Sequence, residues 1–109
     1  MTKVQVTRTA DKTVRSIRVT GHSGFADEGE DIVCAAISAL TMTTMNCLTD
    51  LLKEPAEVTE DEEKAEIRCC FQQVPSEKAA FLIECYLYGL ESIRKEYGKK
   101  YLSIRIQEV

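Results

Sequence analysis

KVQVTRTADKTVRSIRVT, residues 3–20, sets the architecture. Val4 and Val6 alternate with polar neighbours, as do Ile17 and Val19, and Ala10-Asp11-Lys12-Thr13 separates the two runs. This period of two predicts strands over 3–9 and 15–20, paired as an antiparallel hairpin. Such a hairpin carries an apolar face that a second layer must cover.

The cover follows in the chain. From Ile32 to about Lys53 the run IVCAAISALTMTTMNCLTDLLK has no Gly or Pro, is rich in Ala and Leu, and carries apolar groups on most faces. It predicts a helix packed on more than one side and ended by Glu54-Pro55. Ala65, Ile67, Cys69 and Phe71 then alternate, predicting a strand over 64–71, with a turn at Asp61-Glu62-Glu63 and Val58 on a short partner strand. Pro75-Ser76 opens a second helix on which Ala79, Leu82, Tyr86, Leu90, Ile93 and Tyr97 recur every three or four residues, and Gly98 caps it. Leu102, Ile104 and Ile106 mark a last strand. The order β-β-α-β-β-α-β predicts an α+β fold, a single two-layer domain over residues 1–109 with two main helices on one face of a mixed sheet. Strand order is not readable at this level.

The chain has 109 residues, 44% hydrophobic and 29% charged, which permits one real core and makes any site shallow or interfacial. A net charge of −4 argues against direct nucleic-acid binding. No stretch is read as a membrane span and the N-terminus lacks the order of a signal peptide, so a cytoplasmic protein without a membrane partner is expected. Five cysteines, one histidine and no CxxC pair give neither a disulfide framework nor a zinc site, and no metal or cofactor is expected. Cys47, Cys69 and Cys85 read as packing, with Cys70 the more exposed of its adjacent pair. The tyrosines at 86, 97 and 101 read as core or interface, and the acidic stretch 54–66 as solvated surface, with attraction for a basic substrate as the second reading.

Chemistry concentrates in Gly21-His22-Ser23-Gly24-Phe25-Ala26-Asp27-Glu28-Gly29-Glu30-Asp31-Ile32-Val33-Cys34, a loop of about ten residues leading from a strand into a helix. It places the sole His at a strand end and a Cys at a helix start, the minimum pair for thiol catalysis. With Asp31 as N-cap, Cys34 becomes the third helical residue, where free N–H groups and the helix dipole stabilise negative charge on sulfur. His22 can hold the thiol proton and deliver it to a leaving amine, and the same helix end can stabilise an oxyanion. Ser38, one turn beyond Cys34, can bond within the site or to its own helix carbonyl. Each feature also has a plain structural reading: a small core Cys, a surface His, an ordinary cap, turn-forming glycines.

The run GHSGFADEGEDIVCAAISAL closely resembles the signature of the bacterial ribosomal-processing cysteine proteases. That signature reads Gly-His-Ala-Gly-Tyr-Ala, a short variable run, Gly-x-Asp-Ile-Val-Cys and Ala-Ala-Val-Ser. Gly21, His22, Gly24, Ala26, Gly29, Asp31, Ile32, Val33, Cys34 and Ser38 match it, while Ser23, Phe25 and Ile37 depart mildly. The resemblance implies a homodimeric cysteine endopeptidase that removes the N-terminal extension of a large-subunit ribosomal protein, cutting after Phe-Phe and before Ala-Ser. His22 and Cys34 then match the catalytic dyad, with Asp31 and Ser38 as supporting positions. Gly21, Gly24, Phe25 and Gly29 fall in a segment that covers the substrate, and its closure is expected to bring His22 to Cys34. Two other readings stay open: a non-catalytic ribosome-assembly module that binds the same tail, and a thiol redox protein, which lacks a nearby resolving Cys.

Overall fold

The computed structural model describes residues 1–22, 24, 26, 27 and 31–109. Its elements are β1 (Thr2–Arg8), β2 (Val14–Thr20), α1 (Ile32–Asn46), β3 (Ala56–Asp61), β4 (Glu66–Phe71), α2 (Glu77–Tyr97) and β5 (Leu102–Glu108). The strands form one mixed sheet in the order β3-β4-β2-β1-β5, with β1 and β5 parallel and every other pair antiparallel. This is the expected α+β arrangement.

Register follows the apolar alternation. Val4 lies opposite Val19, Val6 opposite Ile17, Ile17 opposite Cys69, and Val58 opposite Cys69 on its other side. These side chains share one face and pack against Val33, Ile37, Met45 and Leu48 from the first helical segment and Ala79, Ile83, Tyr86 and Leu90 from α2. The opposite phase, with Lys3, Arg18, Glu57, Arg68 and Arg105, is solvent-exposed. Both helices therefore cover one face. They approach closely where Gly89 meets Leu40: a Cβ on residue 89 would come within 2.8 Å of the leucine side chain.

Several expectations need correction. α1 ends at Asn46 and continues as a wider π-turn over Cys47–Leu51, in which the Leu52 N–H donates to the Cys47 carbonyl at 2.9 Å. The Thr49 hydroxyl donates to the Met45 carbonyl there, a competing bond that bends helices, and Lys53 leaves with a left-handed φ of 53°. Segment 32–51 does have the length and apolarity of a membrane span. Its buried residues face the sheet and α2, however, and its apolar content serves this core. It packs on the sheet and on α2, as the expectation of more than one packed side requires, while Ile32 and Met42 on its remaining side are open to solvent. Cys85 is exposed rather than packed because it falls on the outward side of α2, whereas Cys69 is buried and Cys70 exposed as expected. Ile106, near the end of β5, and Tyr97, the last residue of α2, are also partly exposed, at 45% and 37%.

The Tyr86 hydroxyl and Thr41 hydroxyl, 2.9 Å apart, join α2 to α1 inside the core. Burial pushes the Tyr86 hydroxyl up to about 12 and the Cys69 thiol up to about 11. The unfolded chain releases these protons at lower pH than the folded one does, so the stability they contribute is full below pH 9 and declines as pH rises towards 12. Each two-unit shift corresponds to at most about 3 kcal/mol. Melting temperature is expected to fall steeply between pH 9 and 12, with the Tyr86 share above pH 10. In Tyr86→Phe it falls less steeply, from a start already lowered by about 1–3 kcal/mol because Thr41 loses its partner. Parallel alkaline profiles would show that Tyr86 does not contribute.

Candidate active site

The site forms where β2 ends and α1 begins. Gly21 turns the chain out of β2 with φ +85°, and its N–H donates to the Ala65 carbonyl at 3.1 Å, fixing the strand end to the β3–β4 turn. A Cβ on residue 21 would stand 2.8 Å from the Met1 carbonyl oxygen. Glycine is thus required by both conformation and close approach. Its role is that of a fixed corner.

Across the cleft, Asp31 caps α1 from extended backbone, and its Oδ1 accepts from the Cys34 N–H at 2.8 Å. The cap places Cys34 in the first helical turn, as the sequence predicts, and commits that residue's own amide to the aspartate. Cys34 Sγ lies 3.8 Å from His22 Nδ1, within hydrogen-bond reach for sulfur. The two side chains already meet, contrary to the expectation that closure must bring them together. Cys34 is half-buried and His22 exposed, so the sulfur is sheltered yet reachable.

Ser38 lines the same cleft; among the described residues it forms neither of the two hydrogen bonds considered for it. Gly24 has φ +77° with open space around its Cβ position, which suits a turn but no close contact. Phe25 and Gly29, assigned to a substrate-covering segment, lie outside the described residues, as does Ser23.

The structure adds residues that sequence patterns passed over. Val19, Ile37, Ala65 and Ile67 form apolar walls, while Glu60 and Asp61 at the end of β3 and Glu62 in the turn after it line the same cleft as Cys34 and His22. Glu60 pairs in register with Ile67 and continues the phase of Ala56 and Val58, so it carries a carboxylate on the face that otherwise meets the helices. Glu66 also lines the cleft, but Arg18 and Arg68 already pair with it at 3.1 and 3.3 Å. On the floor, Thr2 is 2% exposed and its hydroxyl has no hydrogen-bond partner among the described residues. An unsatisfied buried polar group costs about 1–3 kcal/mol. The signal for Glu60 was present in the sequence as a charge at the inward phase of a strand.

Helix-terminal placement and partial exposure make Cys34 the thiol expected to alkylate fastest at pH 7, ahead of the exposed Cys70 and Cys85, with buried Cys69 last. Peptide mapping after brief treatment with iodoacetamide reads the order. Equal labelling of residues 34, 70 and 85 would assign Cys34 to packing alone.

Comparison with known proteins bears on this geometry. The family model described as cysteine protease Prp matches residues 1–102. The ribosomal processing cysteine protease Prp of Bacillus subtilis is 32% identical over 101 residues, spanning 89% of this chain and 90% of that protein. The Staphylococcus aureus protein of the same name is 24% identical over 99 residues, covering 91% and 93%. Among solved structures, the S. aureus processing protease with a covalently linked product peptide superposes with a TM-score of 0.91 at 22% identity, over 98% of this chain and all of that one. SMU.848 from Streptococcus mutans superposes with a TM-score of 0.83 at 26% identity, over 100% and 96%.

Proposed function

Because the chain belongs to the cysteine protease Prp family, we propose that it is an endopeptidase using a Cys34/His22 dyad to remove the N-terminal extension of a large-subunit ribosomal protein, cutting after Phe-Phe and before Ala-Ser. The single observation that carries the dyad is the 3.8 Å approach of Sγ to Nδ1 at the start of α1. The relatives named for ribosomal processing support the substrate. Five free cysteines are in keeping with action in the reducing cytoplasm.

In the reaction, His22 Nδ1 takes the thiol proton as Sγ attacks the scissile carbonyl carbon. The tetrahedral oxyanion collapses, the C–N bond breaks, and His22 gives the proton to the departing amine. Water, deprotonated by His22, then attacks the thioester; the C–S bond breaks and the proton returns to sulfur. The first turn of α1 offers a positive end to the oxyanion, although the Cys34 amide is already held by Asp31, so the donors are other groups. Asp31 is a positioning residue: it fixes where the helix starts and therefore where Sγ points.

The decisive experiment mixes the enzyme with the precursor ribosomal protein and reads its N-terminus by mass spectrometry. A shift from the full-length terminus to Ala-Ser supports the reading, whereas an intact precursor that remains bound supports the assembly-module alternative. A homodimer belongs to the same proposal. Light scattering at micromolar concentration should give twice the 12.3 kDa chain mass; a fully active monomer would place the whole groove within one subunit.

A further inference from the structure

We propose that the end of β3 and the turn after it make this cleft a subsite for a lysine or arginine side chain of the bound peptide, with Glu60 and Glu62 as the residues that determine the preference. The inference rests on the protease reading and adds a charge requirement to it. Three observations carry it. First, Glu60 occupies the inward phase of an edge strand, where Ala56 and Val58 precede it, and lines the cleft that holds Cys34 and His22. Second, the neighbouring charges are not equivalent: Glu66 is paired by Arg18 and Arg68, and the Asp61 carboxylate accepts from the Lys64 N–H, while Glu60 and Glu62 have no ion-pair partner among the described residues. Third, Thr2 lines the same cleft from β1, nearly fully buried, and its hydroxyl has no partner among the described residues.

The shape of the lining fits this ligand class. Val19, Ile37 and Ile67 give the cleft that holds these carboxylates an apolar lining. A long basic side chain lays its methylene stem along such a surface and presents its charge at the end. A purely apolar side chain would fill the cleft but leave the two carboxylates unanswered, and an acidic one would be repelled.

The test uses the full chain with Cys34→Ala, so that peptides bind without being cut. Fluorescein-labelled decapeptides centred on Phe-Phe-Ala-Ser carry a single lysine at each flanking position in turn, compared by anisotropy with norleucine at the same position. At one position lysine is expected to bind about tenfold tighter, a preference that falls below about twofold in Glu60→Gln/Glu62→Gln and weakens in high salt. Both residues are exposed, and a thermal melt confirms that the double variant is folded. Norleucine binding as well as lysine at every position, or a lysine preference that survives the double substitution, overturns the subsite. The enzyme with Cys34 intact separates the two levels of inference. Peptides that are cut without any lysine preference remove the subsite and leave the protease reading. Peptides that bind with the preference but stay uncut remove the protease reading and leave the subsite. Failure of every peptide to bind removes both.

Discussion

Cys34→Ala is expected to lower kcat/KM for the proposed precursor by at least about a thousandfold while leaving the fold in place. The large effect follows from chemistry: without Sγ no thioester forms, and among the described residues lining the cleft Cys34 carries the only thiol. The small structural effect follows from location. Cys34 is only half-buried in the first turn of α1, and alanine keeps the helix propensity and the backbone N–H that Asp31 accepts from. The expected cost is below about 1 kcal/mol. Cleavage assays and thermal melts on the same preparation check both halves. Residual turnover above about a tenth of the parent would remove Cys34 from the mechanism, and a collapsed melting point would assign it to the core.

Gly21→Ala should be the most damaging single-methyl addition in the loop that leads from β2. It forces a Cβ into a left-handed conformation, costing about 1–2 kcal/mol, and drives it against the Met1 carbonyl, for a total of about 2–4 kcal/mol. That corresponds to a midpoint lowered by roughly 10 °C or more. Because residue 21 immediately precedes His22, turnover should fall further than the loss of folded protein explains. Gly24→Ala is the control: φ is also positive but nothing lies within 4 Å, so only about 1 kcal/mol is expected. Similar melting points for the two variants would mean that the corner at Gly21 is not needed.

How far the sequence could be read depended on the range of the interaction that fixes each element. Local signals were sufficient for α2, where Ser76 caps the Ala79 N–H and Gly98 ends the helix, and for Asp31 at the start of α1. They also located β1, β2 and β5, because a half-buried strand writes its exposure into alternate residues. β3 was anticipated only around Val58, since Glu60 puts a charge where the alternation calls for an apolar group. Strand order was illegible for a different reason: the parallel pairing of β1 with β5 joins segments nearly a whole chain apart. The pairing of His22 with Cys34 was visible as two suitable residues on one connection, but their approach depends on Gly21 being held against Ala65. Thr2 escaped notice entirely. A threonine at the start of a strand carries no local sign that its hydroxyl will have no partner at the floor of a cleft.

The union of β1 with β5 also sets a timetable. Thr2, which floors the cleft, donates its N–H to the Tyr101 carbonyl at 3.0 Å, and every residue from Thr2 to Arg8 is matched with one between Leu102 and Glu108. During synthesis the first of these strands is made long before the second. Until the later one emerges, one side of β1 lacks its neighbour and Thr2, in the cleft that holds Cys34, is unsupported on that side. A nascent chain truncated before Leu102 would hold His22 and Cys34 but leave Thr2 without its β5 neighbour, so the support under the cleft is expected to be completed only late in synthesis.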